Sequence, residues 1–369
     1  MKNDMRLSTK EIDYILSPLA IRDRANKIFE LTKKGKTHFT YHPEAFQSTL
    51  DYVLKVIYKN YPDLNIPFHS RWGHFRVGGV DRAQVLSDAL SEDKIEKARS
   101  KLDLVITSVL LDDGAGPTWQ YNEKESGKTF SRSEGLGVAS YYLFLAGKLS
   151  SDPTKMQADS EGLKNLKAKD IETYFQVSAN NPLVGVDGRV QLLNNLGDAL
   201  TNTKIFKDGR PGNIIDYLIE SYGGVVPATA ILRAVLDGLG PIWPGRIQAN
   251  GINLGDVWSH KALGSGFESL VPIHKLSQWM TYSLIEPIID AGIKVEGVEN
   301  LTGLAEYRNG GLFIDSGLLS FKDPKEQLES WAPSSEVIIE WRALTVHLLD
   351  QIGLGVQKAL DKEPKDFPL

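Results

Sequence analysis

The stretch SSEVIIEWRALTVHLLDQIGLGVQKAL, residues 334–360, carries the clearest fold signal in the chain. Its apolar side chains recur every three or four positions, which is the spacing of one helix face. The residues that we expect to point inward are Val337, Trp341, Leu344, Leu348 and Ile352. The stretch therefore predicts a long amphipathic helix packed against other elements.

The same periodicity extends through most of the chain. A second strong pattern is VPIHKLSQWMTYSLIEPIIDAG, residues 271–292, whose apolar positions also share one face. Near the amino end, Ser8 and Glu11 have the spacing of a capping box, and Ser17 precedes a proline that opens a further helix. The longest irregular stretch, residues 111–140, has room for a small hairpin. We therefore expect a mainly α fold, a compact multi-helix body with at most a small β-hairpin.

The sequence shows no internal repeat, no low-complexity tract and no clear linker. We divide it into an N-terminal helical region, residues 1–160, and a C-terminal helical region, residues 161–369. The N-terminal region contains the irregular loop 111–134. Because no linker separates them, the two regions are expected to form one compact unit.

Composition limits the classes of function. The chain has 369 residues, a net charge of −5 and no long basic run, so we expect no nucleic-acid partner. It has no cysteine, which excludes thiolate metal sites and cysteine nucleophiles and fits a reducing compartment. We find neither a signal-peptide core nor an apolar run long enough to span a bilayer, so a cytoplasmic protein without a membrane partner is expected. The oligomeric state does not follow from the sequence.

Motifs for common cofactors are also missing. The chain has no phosphate-binding P-loop, no dinucleotide fingerprint and no paired-histidine zinc motif. We therefore expect no organic cofactor and no metal. One alternative stays open, because His69 and His74 could combine with Asp112 and Asp113 in a histidine–carboxylate metal site.

Two segments place polar groups where an apolar pattern would not need them. Asp112 and Asp113 follow an apolar helix, and acids at a helix C-terminus face the unfavourable end of its dipole. In LTGLAEYRNGGLF, residues 301–313, a glutamate, a tyrosine and an arginine stand together in an apolar, glycine-rich stretch. A solvated loop explains either segment, but so does an active site that needs a fixed carboxylate beside a cation.

The segments LDDGAGPTWQY, FSRSEGLGVAS, NPLVGVDGRVQLL and LIEP resemble signatures of the uracil catabolism protein 4 family of fungi and bacteria. The resemblance covers essentially the whole chain. It implies a place in a pyrimidine route that opens the ring of a uracil ribonucleotide, passes through ribosylurea and releases urea. It also implies that the ureido group and the phosphate are selected by residues of the family-specific loop, namely Asp112, Asp113, Trp119, Arg132 and Ser133.

The C-terminal half has a second, more distant resemblance. HKLSQWMTYSL, LTGLAEYRNGG and SSEVIIEWRALTVHLL are similar to motifs of the queuosine 5′-phosphate glycosylases, which are related in fold to helix-hairpin-helix DNA glycosylases. The similarity implies a helix-hairpin-helix glycosylase-like C-terminal half. It implies Glu306 and Lys275 as catalytic residues, with Glu306 at the position of a shorter aspartate. The supporting residues that it implies are Gln278, Tyr307, Arg308, Glu340 and Arg342.

Together, the two resemblances imply an N-glycoside hydrolase that converts ribosylurea, or its 5′-phosphate, to urea and ribose or ribose phosphate. Cleavage of an N-glycosidic bond builds positive charge on the sugar, which a nearby carboxylate stabilises. The expected partner is therefore a small ribosyl substrate. Two alternatives stay open: a metal-dependent amidohydrolase acting on the ureido group, and a non-enzymatic partner of the ring-opening enzyme.

Overall fold

A computed structural model of the protein describes residues 3–202, 204–243 and 247–368. Helices dominate it, which confirms the mainly α class. The α-helices are α1 (Thr9–Ile15), α2 (Pro18–Lys33), α3 (Phe46–Asn60), α4 (Arg71–Phe75), α5 (Arg82–Ala89), α6 (Lys94–Leu110), α7 (Arg132–Leu145), α8 (Ser160–Asn165), α9 (Ala168–Tyr174), α10 (Val186–Ala199), α11 (Ile214–Tyr222), α12 (Ala228–Leu239), α13 (Lys275–Asp290), α14 (Tyr307–Asp315) and α15 (Glu336–Ala359). None of these helices is both long enough and apolar enough to cross a lipid bilayer.

The strands are short. They are β1 (Asn3–Met5), β2 (Phe39–Tyr41), β3 (Tyr121–Asn122), β4 (Thr129–Phe130), β5 (Val225–Pro227), β6 (Ile247–Ala249), β7 (Ile252–Asn253), β8 (Val257–Ser259), β9 (Leu270–Pro272), β10 (Lys294–Glu296) and β11 (Leu319–Phe321). The predicted hairpin is present, because β3 pairs antiparallel with β4. Four further small sheets occur in the described residues: β1-β6-β7, β2 with β11, β5 parallel with β10, and β8 with β9. These pairings leave no sign in the sequence, because strands of two or three residues are too short to show an alternating pattern.

The first two helices begin at the capping residues that the sequence predicts. Ser8 Oγ accepts the backbone N–H of Glu11 at 3.3 Å, and the Glu11 carboxylate accepts the backbone N–H of Ser8 at 2.7 Å. This reciprocal pair is the predicted capping box, and it satisfies two backbone donors at the start of α1. At the start of α2, Ser17 Oγ accepts the N–H of Ala20 at 3.3 Å.

Contacts divide the described chain into two units. The first unit consists of the described residues of 1–66, 244–278 and 297–369. The second unit consists of those of 67–243 and 279–296, so the division falls inside α13, after Gln278. This division does not coincide with the predicted border between residues 160 and 161. The physical reason is that α2 packs against α15, which brings both ends of the chain into the first unit.

The core of the first unit forms around α2 and α15. Four of the five residues predicted to face inward on α15 are buried: Val337, Leu344, Leu348 and Ile352. They pack in one cluster with apolar residues of α2, including Ile21, Ala25 and Ile28. Trp341 differs from the prediction, because it is only half-buried and packs at the edge of this cluster. The long amphipathic helix of residues 334–360 is therefore present, with a slightly narrower buried face.

The second unit is organised around α6. All residues from Lys101 to Leu110 are buried, because α4, α7, α10 and α11 contact this helix on different sides. The last part of this helix, residues 104–110, accordingly contains no charged side chain. Its carboxyl end is held in the interior, and the acidic pair Asp112 and Asp113 follows directly after it.

Candidate active site

The first unit contains a close pair of the two residues that the glycosylase resemblance assigned to catalysis. Lys275 Nζ lies 2.6 Å from Glu306 Oε1, and the two side chains are 26% and 23% exposed. A small solute can therefore reach both groups. Lys275 is the first residue of α13, and Glu306 directly precedes α14 without using its side chain to cap that helix. The arrangement presents one cation and one carboxylate, each held at a helix start.

Lys275 stands at an electrostatically unfavourable place. The first turn of a helix carries partial positive charge, which disfavours a cation and favours a carboxylate such as Glu306. The preceding residue, His274, has a φ of 47°, a left-handed conformation that residues other than glycine rarely adopt. The cation of Lys275 at the helix start and the strained backbone of His274 both lower the stability of the fold. The surroundings of the helix start must therefore compensate.

Asp256 provides this compensation. Its Oδ2 accepts the backbone N–H of Lys275 at 3.1 Å, and its two oxygens accept Arg342 Nη1 and Nη2 at 2.9 and 2.7 Å. Trp258 Nε1 donates to Oδ1 at 2.7 Å. Burial alone would raise the pKa of Asp256, but Arg342 and the Trp258 N–H outweigh it and hold that pKa well below its usual range. Asp256 is therefore a permanent anion that ties α15 to the start of α13.

Sequence reasoning missed Asp256. It lies in the short segment between β7 and β8, where one acid beside a glycine carries no periodic or motif signal. Arg342 was predicted as a supporting residue, and the structure places it against Asp256. An arginine on a helix that packs against the core needs an anionic partner, so Arg342 was the one sign in the sequence that an acid such as Asp256 lies nearby.

Gln278 braces the segment that leads to Glu306. The side chain is buried, its Nε2 donates to Thr302 Oγ1 at 2.5 Å, and its Oε1 accepts the backbone N–H of Thr302 at 2.9 Å. Asn309 Nδ2 donates to the carbonyl of Leu304 at 2.9 Å, which holds the same segment from the other side. Gln278 thus lies one helical turn after Lys275 and acts on the backbone near Glu306.

Tyr307 and Arg308 lie on the surface next to Glu306. Tyr307 is 65% exposed, and the Arg308 guanidinium lies 5.7 Å from the centre of its ring. Arg308 Nε donates to the Tyr307 hydroxyl at 3.2 Å. Arg308 is also exposed, so its cation is accessible to an anionic group of a substrate.

Glu340 contacts a different set of residues. Its buried carboxylate accepts the backbone N–H of His38 at 2.8 Å and lies 2.8 Å from His38 Nδ1 and 2.9 Å from His260 Nε2. Three separate segments of the first unit meet at this carboxylate. The contacts assign Glu340 to holding these segments together, and they do not include Lys275 or Glu306.

The remaining predicted site residues belong to the second unit. Arg71 is fully buried and lies 3.4 Å from Asp112 through Nη1 and Oδ2. Arg71 also donates to Ser108 Oγ at 2.6 Å and to the carbonyl of Ser133 at 3.2 Å. Burial lowers the pKa of Arg71, and the charge of Asp112 opposes that shift. Asp112 therefore neutralises a buried cation. This interaction offsets part of the cost of placing an acid at the carboxyl end of α6.

A second arginine, Arg189 of α10, covers the carboxyl end of α6. Its Nε donates to the carbonyl of Leu111 at 3.0 Å, and its Nη2 donates to the carbonyl of Asp113 at 2.8 Å. A cation that donates to the last carbonyls of a helix is favourable for the dipole. Sequence reasoning missed Arg189, because its partner carbonyls come from a distant part of the chain.

Other residues of the predicted loop have different surroundings. Trp119 is buried, and its Nε1 donates to the carbonyl of Phe175 at 2.9 Å, so it packs in the interior of the second unit. Arg132 is exposed and has a φ of 52° at the start of α7. Ser133 is half-buried, and its carbonyl accepts from Arg71. The structure therefore leaves Asp112, Arg132 and Ser133 reachable from solvent and encloses Trp119.

The residues considered for a metal site do not converge. Within the described part of the chain, no group of three or more histidine, aspartate or glutamate side chains is placed to hold a metal ion. His74 Nδ1 instead lies 3.3 Å from Arg71 Nη1, beside the guanidinium that also faces Asp112.

Fold and site thus define the class only broadly, as a mainly α-helical protein with a lysine–carboxylate pair. The model of a family described as "Protein of unknown function (DUF1688)" matches residues 14–369. "Uracil catabolism protein 4" of Lachancea kluyveri is 38% identical over 391 residues, which cover 95% of this chain and 89% of that protein. "Protein urg3" of Schizosaccharomyces pombe is 37% identical over 370 residues, with 97% and 89% covered. The chain belongs to the uracil catabolism protein 4 family, as its signatures predicted.

Proposed function

We propose that this protein is an N-glycoside hydrolase of uracil catabolism. Its substrate is ribosylurea or ribosylurea 5′-phosphate, and its products are urea and ribose or ribose 5-phosphate. The observation that carries the proposal is the Lys275–Glu306 pair, 2.6 Å apart and partly open to solvent. The name of the Lachancea kluyveri relative, uracil catabolism protein 4, supports the pathway, and the resemblance to glycosylases supports the reaction type.

Hydrolysis breaks the bond between C1′ of the sugar and a urea nitrogen. Water supplies a hydroxyl group to C1′ and a proton to the nitrogen, so no other reactant is needed. Because the transition state carries positive charge on the sugar, the Glu306 carboxylate stabilises it and accepts a proton from the attacking water. Glu306 does not cap α14 with its side chain, so this carboxylate is not committed to the helix.

Lys275 acts on the urea side of the bond that breaks. The leaving urea nitrogen needs a proton, and an ammonium group beside the carboxylate is positioned to donate it. The flexible lysine side chain can also turn to a 5′-phosphate, in which case it matters for the phosphorylated substrate alone. A third role, nucleophilic attack on C1′, would leave a sugar adduct on Lys275 that mass spectrometry detects.

Asp256 and Arg342 support this chemistry without contacting the reacting atoms. Asp256 holds the backbone of Lys275 and takes its own position from Arg342. Catalytic groups must be held within a fraction of an ångström of their working geometry, so such an anchor affects rate as well as stability.

The proposal is tested with purified protein, ribosylurea and its 5′-phosphate, with and without a metal chelator. Release of urea and the ribose product in equal amounts, unaffected by the chelator, is the expected result. Release of ammonia in place of urea, lost with the chelator, would indicate a metal-dependent amidohydrolase. No turnover of either compound, together with a stable complex with the ring-opening enzyme, would indicate a non-enzymatic partner.

A further inference from the structure

The first unit contains a cavity that shares no lining residue with the Lys275–Glu306 pair. Its volume is about 260 Å³, slightly below the roughly 300–1,000 Å³ that is usual for drug-sized ligands. The walls come from β2, α14, β11, the segment 326–331 and the first turns of α15. The lining residues are Phe39, Gly311, Ile314, Asp315, Phe321, Glu326, Gln327, Glu329, Trp331, Val337, Ile338 and Trp341. A cavity of this size suits a small organic molecule.

Four aromatic rings line the cavity. Phe39 and Phe321 pack against each other with their ring centres 4.6 Å apart. Trp331 is fixed by its indole N–H, which donates to the carbonyl of Glu326 at 2.9 Å. Trp341 lies on α15 and packs against the core cluster. Aromatic faces carry negative partial charge and attract cations, so these walls favour a cation with an apolar flank.

The charges of the lining have one sign. Asp315, Glu326 and Glu329 are acidic, and the lining contains no lysine, arginine or histidine. His38 lies beside the lining, with its Nε2 3.9 Å from Glu326 Oε1. His38 is itself engaged by the buried carboxylate of Glu340. The cavity therefore has an excess of negative charge, which repels anions and concentrates cations.

We propose that this cavity binds a small organic cation, an amine or a guanidine with an apolar flank. The aromatic walls cover the apolar flank and attract the cation, while the carboxylates neutralise its charge. A phosphorylated sugar or a nucleotide is excluded by the same charges. The site therefore differs in ligand class from the proposed hydrolase site, and it stands independently of the reaction assigned there.

The test measures binding of benzylamine and of benzyl alcohol, its neutral counterpart of the same shape, by calorimetry and by shifts of the tryptophan indole N–H signals. Benzylamine is expected to bind at least about tenfold more tightly than the alcohol, because the charge contributes through both rings and carboxylates. The variant Asp315→Asn/Glu329→Gln should lose most of that difference. Both positions are exposed, so this variant is expected to fold normally.

Asp361→Asn/Glu363→Gln provides the matched control, since it removes two exposed negative charges of the same unit outside the cavity lining. It should bind benzylamine as the unchanged protein does. Equal affinity for the amine and the alcohol would overturn the proposal, because the cavity would then be a merely apolar site. Absence of benzylamine binding would overturn it as well. So would an equal loss of benzylamine affinity in the control and in Asp315→Asn/Glu329→Gln.

Discussion

The carboxylate of Asp256 binds the guanidinium of Arg342 through both oxygens, at 2.9 and 2.7 Å. The same carboxylate accepts the backbone N–H of Lys275, so one ion pair sets the position of a proposed catalytic residue. In a purely structural role, Asp256 would affect stability alone. In a positioning role, it affects the reaction too.

Asp256→Asn separates these roles. The variant removes the charge that balances Arg342, and we expect a loss of about 1–3 kcal/mol in the free energy of unfolding. We also expect kcat for urea release to fall roughly tenfold or more, because Lys275 loses its anchor. Denaturant unfolding and steady-state kinetics measure the two effects.

Asp216→Asn, in the second unit, is a matched control. Asp216 pairs with Arg99 through both oxygens, at 3.0 and 2.6 Å, and the two side chains are about as exposed as those of Asp256 and Arg342. The control should lose similar stability and keep its kcat at a temperature where it is folded. If both variants lose kcat to the same extent, Asp256 has no specific link to the reaction.

Gln278→Ala tests the brace beside Glu306. The change removes both hydrogen bonds between Gln278 and Thr302, at a cost of about 1–3 kcal/mol. Because the segment before Glu306 then moves more freely, kcat should fall while KM changes little. Gln357→Ala removes another buried glutamine of the first unit, which donates to the carbonyl of Phe367, and should lower stability alone. Unchanged kcat in Gln278→Ala would mean that the hydrogen bonds between Gln278 and Thr302 contribute to folding alone.

Arg308→Gln tests whether the substrate carries a phosphate. An exposed arginine beside Glu306 can bind a 5′-phosphate, and loss of one such charge-assisted contact costs about tenfold in affinity. KM for ribosylurea 5′-phosphate should therefore rise about tenfold, with no change for ribosylurea. An equal change in KM for both compounds, or no change for either, would show that Arg308 does not recognise the phosphate.

His274 makes stability depend on pH. Burial lowers the pKa of His274, outweighing the Ile15 carbonyl and the charge of Asp256, while Arg342 lowers it further. The unfolded chain therefore binds more protons than the folded chain below the ordinary histidine pKa of about 6.5. Stability is fully present above that pH and is lost as the pH falls below it. Burial also lowers the pKa of His347, so this residue adds to the same dependence of stability on pH.

His274→Asn should reduce this slope by at most about 1.4 kcal/mol per pH unit, the effect of one proton. Asparagine suits the positive φ at this position, so the fold is retained. The free energy of unfolding is measured at pH 7.5 and 5.5. A slope in His274→Asn equal to that of the unchanged protein would contradict the assignment.

The sequence predicts those features that depend on local pattern. Helix periodicity indicated α15 with four of its buried residues, and capping chemistry indicated the starts of α1 and α2. The pairing of Lys275 with Glu306 needed a resemblance between families, because the two residues lie at the starts of different helices. Asp256 and Arg189 could not be predicted, since their roles arise from partners far along the chain. For Trp119, the resemblance implied a role in selecting the substrate, and the structure shows its side chain buried with its indole N–H bonded to the carbonyl of Phe175.

The central claim is that the Glu306 carboxylate stabilises the cation that forms on the sugar. The most direct measurement compares urea release and substrate binding in Glu306→Gln, with Glu363→Gln as a control of equal charge change. We expect a fall in kcat on the order of 10²-fold or more, with Kd for substrate little changed, because the charge matters mainly in the transition state. Glu306→Asp should retain part of the activity. Full activity of Glu306→Gln on both ribosylurea and its 5′-phosphate would contradict the account.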